Sequence, residues 1–338
     1  MVMWLNSNEY DDVVVSTRLR VARNIDKATF PIFASEEESK EILDKVQNAM
    51  DSLFKEGDYT LFKLGEMEKR ERIRYMEDHL ISPGLVEKST KGSFFLRNDE
   101  KVTIMVNEED HIRLQVLLPG LDLIKGWELC SQIDDILESK LDYSYHREYG
   151  YLTSCPTNTG TGLRASVMLH LPCVTATGHI SSIINALKKA GLTIRGIYGE
   201  GSDAVGDLYQ VSNQLTLGET EDEVIEKLNR VVYQLIKREK STRAFLLEKR
   251  HVEFEDRVFR AKGLLSNARV ISSQESLKNL SIVKLGIDSG VIKEHKGDEL
   301  IDLMISIRPG NVQSIEDKVM NKDERDIKRA SVLREYFK

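Results

Sequence analysis

The spacing of apolar residues over the first 245 positions predicts helices that alternate with strands. Over residues 35–56 the apolar positions recur every three or four residues, and Ser35 and Glu38 form a possible capping box at the start. The same periodicity predicts further helices over residues 127–141, 179–190 and 220–240. Each of these helices has one apolar face, so each is expected to pack against another element.

Residues 92–118 alternate between apolar and polar positions, which is the pattern of β-strands. Short β-rich runs are separated by the turn-like segments "NDEK" and "NEED", so two successive hairpins and an antiparallel sheet are predicted. Within this region Ile112 and Leu114 share one face of a strand, whereas Arg113 points to the opposite face. Strands and helices combined in this way predict an α+β fold.

The pattern changes at about residue 245, beyond which no strand is predicted. Short amphipathic helices follow one another up to a charged C-terminal segment, and Gly290 and the "RPG" at 308–310 separate them. The chain is therefore predicted to contain a larger α+β domain, residues 1–245, and a small all-helical domain, residues 246–338.

Composition and charge exclude several classes of protein. The chain has 338 residues and a net charge of −7, so it lacks the excess of Lys and Arg that a sequence-independent nucleic-acid-binding protein needs. Its three cysteines form no CxxC pair, which is typical of a reducing compartment. Neither a signal peptide nor an apolar run of about 18 residues is found, so a cytoplasmic protein without a membrane partner is predicted.

Two segments combine arginine with a strand-like pattern. In "VVVSTRLRVARN" (13–24), Arg18 and Arg20 point the same way if the chain is extended, and neighbouring guanidinium groups repel each other unless an anion lies between them. In "VNEEDHIR" (106–113), two adjacent glutamates precede Arg113. Taken alone, the first segment also fits a solvated edge strand, and the second also fits an exposed turn.

Two further segments are rich in glycine. "GYLTSCPTNTGTGLRASV" (150–167) allows close approach of the backbone and places Arg164 at the start of an apolar run. Its Cys155 has no carboxylate nearby in sequence, so it fits either a thiolate beside a cation or a small buried side chain. "TIRGIYGEGSDAVGD" (193–207) begins like a strand with Arg195 and continues as a glycine-rich loop, which suits a mobile lid.

These segments place five arginines in polar or glycine-rich surroundings within an acidic chain: Arg18, Arg20, Arg113, Arg164 and Arg195. Guanidinium groups bind phosphate oxygens through paired hydrogen bonds. The P-loop pattern GxxxxGK[ST] is absent. The set therefore predicts a polyphosphate site that is built from arginines.

The motifs "STRLRVAR", "VNEEDHIR", "CPTNTGTGLRASV" and "RGIYGEGS", in this order, resemble the ATP:guanido phosphotransferase family of arginine and creatine kinases. The resemblance implies a phosphagen-kinase-like catalytic domain with an antiparallel β-sheet flanked by helices. It implies that ATP is a substrate and that Mg²⁺ is carried by ATP, so no protein metal site is expected. The residues implied to bind ATP are Ser16, Arg18, Arg20, His79, Arg113, Arg164, Ala165, Ser166, Val167, Met168, Arg195, Gly196, Gly199 and Glu200. It also implies that Glu109, together with Glu108, handles the acceptor guanidinium, and that Cys155 lies against it.

Three features depart from the family members that act on metabolites. Arg18 comes early, where those enzymes first have a helical domain; Tyr198 stands in place of a second arginine; and about ninety residues of helix follow the catalytic domain. These features resemble the branch of the family that phosphorylates arginine side chains of bacterial proteins. By that resemblance, "RDIKRA" at 325–330 implies a phosphoarginine-binding allosteric pocket formed by Arg325, Asp326 and Arg329.

The resemblance therefore implies an ATP-dependent kinase whose acceptors are arginine side chains of proteins. The implied partners are a heat-shock transcriptional repressor, unfolded proteins marked for a Clp ATPase and protease, an activator protein, and a second copy of the chain in a homodimer. Two alternatives are kept at this point. One is a metabolite-type arginine kinase, and the other is a non-catalytic adaptor that binds phosphoarginine.

Overall fold

The computed structural model describes residues 2–5, 11–55, 57–88, 90–197 and 204–338. The described residues form the strands β1 (Val14–Arg23), β2 (Tyr59–Lys63), β3 (Ser93–Arg97), β4 (Val102–Val106), β5 (Ile112–Pro119), β6 (Tyr145–His146), β7 (Gly150–Tyr151), β8 (Leu163–His170), β9 (Leu192–Gly196) and β10 (Leu208–Asn213). They form the helices α1 (Glu36–Leu53), α2 (Lys69–Glu77), α3 (Pro83–Glu87), α4 (Leu123–Glu138), α5 (Pro172–Ala176), α6 (Ile180–Lys189), α7 (Glu221–Lys249), α8 (His251–Asn267), α9 (Ser273–Asp288), α10 (Gly297–Ser306), α11 (Pro309–Ile315) and α12 (Lys322–Tyr336).

The predicted helices of the first 245 residues are confirmed, with shifted ends. α1 begins with the predicted capping box, in which Ser35 Oγ accepts the Glu38 N–H and the Glu38 carboxylate accepts the Ser35 N–H. α4 begins earlier than predicted, and α7 continues to Lys249. The domain boundary predicted at residue 245 therefore falls inside α7, and the division into two domains stays a prediction.

Eight strands form one antiparallel sheet in the order β2-β3-β4-β5-β1-β8-β10-β9. β3, β4 and β5 are the two successive hairpins that the alternation predicted. β1 lies at the centre because it pairs with β5 on one side and with β8 on the other. The first of the arginine-rich segments is thus a central strand rather than a solvated edge strand.

One face of the sheet is covered by α1, α4, α6 and α7. Alternate residues of the central strands, such as Leu19, Leu114 and Val167, are fully buried beneath these helices. The helices contribute the matching apolar side chains, including Ile42 and Leu228. This layer contains the main hydrophobic core, and its burial is the largest favourable contribution to folding.

The opposite face is divided between an apolar part and a polar part. Phe94, Met105, Leu117 and Met168 belong to a second buried cluster that also contains apolar residues of α8, α9, α10 and α12. The C-terminal helices therefore share a core with the sheet, and every described residue assigned to a regular element after Lys249 is helical, as predicted. The polar part of this face is left uncovered by those helices and carries the candidate site.

Asp12, which precedes β1, is contacted by a buried arginine of α7 and by a buried lysine of the C-terminal helix α9. Arg243 Nη1 lies 2.5 Å from Asp12 Oδ2, and Lys284 Nζ donates to the Asp12 carbonyl oxygen at 3.0 Å. Lys284 also pairs with Asp288 at 2.6 Å. Charges buried in this way need such partners, because an unpaired buried charge costs several kcal/mol, of the order of 3–5. In the described part of the chain, no helix is both long enough and apolar enough to cross a membrane.

Candidate active site

The antiparallel register gathers the predicted arginines on one face of the sheet. Arg20 of β1 lies opposite Arg164 of β8, and Arg18 follows Arg20 by two residues on the same strand, so these three side chains project from the same face. Arg113 lies opposite Ala22 on the other side of β1. Arg195 of β9 is reached across the intervening strand β10. The alternation of β1 and β5 thus predicted the arginine face correctly.

Arg23, the third arginine of the first segment, points to the other side of β1. Its guanidinium group is 2% exposed, pairs with Asp134 Oδ2 at 2.6 Å and lies 3.5 Å from the centre of the Tyr151 ring. Arg23 Nη1 also donates to the Thr161 carbonyl oxygen at 2.9 Å. This arginine therefore stabilises the fold and the loop that contains Cys155, and it does not join the cluster.

The clustered arginines repel one another. The pKa of Arg20 is well below its usual range because burial removes water and because Arg18, Arg113 and Arg164 add positive charge. The pKa of Arg164 is lowered by burial and then by Arg195 and Arg113. Guanidinium groups stay protonated at neutral pH. Burial and, after it, the neighbouring positive charges therefore both disfavour this cluster of charges.

Two donors of this cluster are left without a hydrogen-bond partner among the described residues. They are Nε of Arg20 and Nε of Arg164, and both are buried. Arg18 Nη2 donates to Gln210 Oε1 at 2.7 Å, and Arg164 Nη2 donates to Ser212 Oγ at 3.3 Å. Buried donors without an acceptor are costly in a folded protein, of the order of 1–3 kcal/mol each. An anion that accepts from both Nε groups would remove this cost.

The cleft beside these arginines has a volume of about 240 Å³ and contains acidic and thiol groups as well. The side chains that carry charge or reactivity along its wall are Arg20, Glu109, Arg113, Cys155 and Arg164. Arg18 and Arg195 do not line it and lie further along the same sheet face. The cleft thus places a carboxylate and a thiol next to three cations.

The two adjacent glutamates of the β4–β5 turn have different environments. Glu108 is 4% exposed; its Oε1 accepts from Ser82 Oγ at 2.7 Å, and its Oε2 lies 2.5 Å from Arg113 Nη1. Glu109 lines the cleft with its side chain 40% exposed, and its Oε2 accepts from Arg113 Nη2 at 3.0 Å. Glu109 is therefore the carboxylate that a bound molecule can reach, whereas Glu108 holds Arg113 in place.

The loop that carries Cys155 is held by close backbone contacts that require glycine. Gly160 has a positive φ of 117°, and a Cβ there would lie 2.2 Å from the Thr216 carbonyl oxygen. Cys155 is partly exposed, and its Sγ lies 3.0 Å from Thr157 Oγ1. Arg164 is close enough for Cys155 to oppose the lowering of the arginine pKa. Cys155 and Arg164 also line the same cleft, so Arg164 supplies a positive charge on the side of this thiol.

A buried polar pair, which the sequence analysis did not identify, joins the cysteine loop to the glutamate turn. Asp110 is fully buried, and its Oδ1 accepts from the Ser154 N–H at 2.6 Å and from Asn24 Nδ2 at 2.7 Å. Asn24 Oδ1 in turn accepts the His111 N–H at 2.9 Å. Asp110 stands within "VNEEDHIR", but its partners come from distant segments, so no local pattern could reveal the contact.

His79 lies at the junction between α2 and α3 on the arginine side of the sheet. Its φ is +64°, and its carbonyl oxygen accepts from Gln115 Nε2 at 2.9 Å. Burial and then the positive charges of Arg18 and Arg308 lower the pKa of His79 to about 3. His79 is therefore neutral at physiological pH, and the charge of Arg18, a member of the arginine cluster, acts on it. Its contact with a nucleotide stays a prediction.

The remaining predicted nucleotide-binding residues fall into four groups. Ser16, Ser166 and Met168 share the strand face of the arginines, and Ser166 Oγ donates to the Arg18 carbonyl oxygen at 3.2 Å. The side chains of Ala165 and Val167 lie in the core on the opposite face, so contacts through those side chains are not supported. Gly196 ends β9. Tyr198, Gly199 and Glu200 lie outside the described residues.

The predicted allosteric motif lies on α12, away from the cleft. Arg329 is 1% exposed; its Nε donates to the Ile307 carbonyl oxygen at 2.8 Å, its Nη1 donates to the Ile271 carbonyl oxygen at 3.0 Å, and it pairs with Asp326. Arg325 is partly exposed and donates to the Met320 carbonyl oxygen at 2.7 Å. Arg329 is thus part of the fold of this region, and Arg325 is the more accessible guanidinium group.

The described residues contain no group of three or more His, Cys, Asp or Glu side chains that could hold a metal ion. The pKa values of Cys130 and Cys173 are raised by burial, which removes both thiols from consideration as ligands or nucleophiles.

Two family models match consecutive parts of the chain. Residues 41–242 match the model described as ATP:guanido phosphotransferase, C-terminal catalytic domain. Residues 251–338 match the model described as Protein-arginine kinase McsB C-terminal domain. The two matches meet near the end of α7.

Similar proteins extend over nearly the whole chain. A protein-arginine kinase of Halothermothrix orenii is 46% identical over 325 residues, which cover 96% of this chain and 92% of that protein. A protein-arginine kinase of Bacillus subtilis is 45% identical over 330 residues, covering 96% and 90%. Among solved structures, a lombricine kinase is 26% identical with a TM-score of 0.60, covering 71% of this chain and 70% of that one.

Replacing Asp110 tests the anchor of the cysteine loop. We expect Asp110→Ala to lower the free energy of unfolding by about 2 kcal/mol, because two hydrogen bonds to a buried charge are lost. Alkylation of Cys155 by iodoacetamide should become several-fold faster in this variant, since the Ser154 N–H no longer holds the loop. Asp110→Asn keeps an oxygen at the Oδ1 position and should retain most of the wild-type alkylation rate. Equal rates in the wild type and Asp110→Ala would contradict the anchor.

Proposed function

Since the chain belongs to the ATP:guanido phosphotransferase family, we propose that it transfers the γ-phosphoryl group of ATP to arginine side chains of proteins. The main support for the proposal is the cleft lined by Arg20, Arg164 and the accessible carboxylate of Glu109, because the buried Nε donors of the two arginines have no hydrogen-bond partner among the described residues. A triphosphate supplies the negative charge that this cluster lacks. The guanidinium group of the acceptor, which carries a positive charge, fits Glu109.

The arginines account for most of what phosphoryl transfer requires of a protein. The reaction depends on alignment and on neutralisation of charge over the phosphate oxygens, with little covalent chemistry by the protein. Arg18, Arg20, Arg113, Arg164 and Arg195 project from one rigid sheet, so their positions are fixed before the substrate arrives. Mg²⁺ enters as part of the nucleotide substrate and supplies further neutralisation of the phosphates.

Glu109 is assigned to the acceptor. A guanidinium group has a pKa of about 12 or more and is a poor nucleophile until it loses a proton. The Glu109 carboxylate orients the planar group and accepts that proton while the nitrogen–phosphorus bond forms and the bond between the γ-phosphorus and the bridging oxygen breaks. ADP leaves with the electron pair of the broken bond. Cys155 lies on the same cleft wall and packs against the acceptor, beside Arg164.

The C-terminal helices support a protein as the acceptor. They match a model named for a protein-arginine kinase, and full-length relatives at about 45% identity carry the same name.

A pocket around Arg325 that binds phosphoarginine would let the product of the reaction regulate the enzyme. We also propose four specific partners: a heat-shock repressor, unfolded proteins destined for a Clp protease, an activator protein, and a second copy of the chain. Phosphorylation replaces the positive charge of an arginine by a negative one, which would weaken the binding of a repressor to DNA.

The test of the reaction is Glu109→Gln. The pure protein is incubated with Mg-ATP and casein, with free arginine in a parallel tube, and acid-labile phosphate is followed by mass spectrometry at neutral pH. The wild type should label arginines of casein but not free arginine. Glu109→Gln should lower turnover at least ~100-fold, in keeping with loss of a general base, while the Kd for Mg-ADP changes less than about threefold.

Glu128→Gln is the matched control, because Glu128 is an exposed glutamate on α4, behind the opposite face of the sheet. Glu128→Gln should keep the turnover of the wild type and its Kd for Mg-ADP. Wild-type turnover in Glu109→Gln would overturn the acid–base assignment. Label on free arginine alone would favour a metabolite kinase, and label on neither acceptor would favour a phosphoarginine-binding adaptor.

The test of the regulatory pocket is Arg325→Ala. The rate of casein phosphorylation is measured with and without added free phosphoarginine, and the two rates are compared. Arg325→Ala should reduce the response to phosphoarginine by about tenfold, because one charged hydrogen-bond donor is lost, with a smaller effect on the basal rate. Lys322→Ala, an exposed lysine on the same helix, is the control. Equal loss of basal and stimulated activity in Arg325→Ala would exclude a sensor at this position.

A further inference from the structure

The last residues of α2 join the candidate nucleotide site to the C-terminal helices. Glu77 is 3% exposed, and its Oε2 accepts the backbone N–H groups of Gly310 and Asn311 at 2.8 and 3.0 Å. Asp78 Oδ1 accepts from Asn311 Nδ2 at 2.9 Å. The next residue is His79. Three consecutive residues thus run from a contact with α11 to the edge of the arginine cluster.

The contact with α11 is too close for any residue but glycine at position 310. A Cβ on Gly310 would lie 2.8 Å from Ile73 Cγ2, 2.9 Å from Glu77 Oε2 and 3.1 Å from the Arg74 nitrogen. Real Cβ atoms essentially never approach other heavy atoms within 3.0 Å. The Glu77 carboxylate therefore lies directly against the α11 backbone, and a side chain at position 310 would push the two apart.

His79 is held from both sides of this junction. Its backbone is in the left-handed region at φ +64°, and its carbonyl oxygen is fixed by Gln115 of β5. Arg18 on the cluster side and Arg308 on the C-terminal side both contribute to the lowered pKa of its ring. Arg308 Nε also lies 3.9 Å from Glu77 Oε1. A movement of α11 relative to α2 would consequently change the position of His79.

We propose that Glu77 is a positioning residue of the nucleotide site: by binding Gly310 and Asn311 it fixes the backbone at His79, so the C-terminal helices set how tightly the nucleotide is bound. The inference rests on the proposed function, because it takes His79 as a nucleotide contact. Glu77 itself does not line the cleft of arginines. It acts through His79 and not on the substrate.

The same backbone segment also contacts the motif on α12. Arg329 Nε donates to the Ile307 carbonyl oxygen, three residues before Gly310. A ligand that shifts Arg329 therefore acts on the segment that Glu77 binds. By linkage, any change that phosphoarginine makes in nucleotide affinity must be matched by an equal effect of nucleotide on phosphoarginine affinity. The segment 307–311 provides a physical path for this coupling.

The test is a double-mutant cycle on the full chain with Mg-ADP as the probe. The Kd is measured by titration calorimetry for the wild type, Gly310→Ala, His79→Ala and the double variant. Gly310→Ala should weaken Mg-ADP binding by about tenfold in the wild-type background but by less than about twofold when His79 is already absent. Glu77→Gln keeps an oxygen for the two N–H groups but removes the charge facing Arg308, so its effect should be smaller than that of Gly310→Ala.

Gly286→Ala is the matched control. A Cβ there would lie 2.4 Å from Val258 Cγ1, so the same substitution strains the packing of α9 on α8, a contact in which Glu77 takes no part. It should lower the melting temperature and leave the Kd for Mg-ADP unchanged. Additive effects of Gly310→Ala and His79→Ala, or equal weakening by Gly286→Ala, would overturn the inference alone. Absence of Mg-ADP binding by the wild type would overturn the proposed function and the inference with it.

Discussion

The mutual repulsion of arginines on one face of the sheet is the constraint on which the candidate site depends. Arg20 and Arg164 face each other across two paired strands, and Arg18, Arg113 and Arg195 surround them. A flexible chain would separate these charges, but the antiparallel ladder fixes their spacing. The energy of holding them together is supplied by the hydrophobic core on the opposite face of the sheet. The fold thus keeps several positive charges on one sheet face, and an anion bound among them would offset their repulsion.

The partners of the cluster determine which groups stay available to a ligand. Glu108 forms an ion pair with Arg113 and accepts a hydrogen bond from Ser82, so it offsets part of the positive charge and orients one arginine. Glu109, the next residue, reaches the cleft. Adjacent residues in this turn have different environments, so one carboxylate is buried and the other is accessible to a ligand. Asp110 completes the turn by fixing the loop of Cys155.

Much of this arrangement could be predicted from local sequence. The alternation in β1 predicted that Arg18 and Arg20 share a face, and the alternation in β5 predicted that Arg113 points away from the apolar layer. The capping box predicted the start of α1. The pairing of β1 with β5, which brings these arginines to one sheet face, was not predicted. What could not be predicted depends on contacts between distant residues. Neither the pairing of Asp110 with Asn24 nor the contact of Glu77 with α11 leaves a local pattern, because each partner is ordinary in its own segment. The end of α7 was missed because helical periodicity continues past the change in composition near residue 245.

The most direct test of this account is the stability of Arg20→Met with and without Mg-ADP. Methionine keeps an apolar stem of similar length but removes a buried charge that lies near Arg18, Arg113 and Arg164. The account predicts that the melting temperature of the ligand-free variant equals or exceeds that of the wild type, because repulsion is relieved. It also predicts that Mg-ADP, which should raise the melting temperature of the wild type, has little effect on the variant. A less stable ligand-free variant that Mg-ADP still stabilises as much as the wild type would contradict a polyphosphate site built on arginine repulsion.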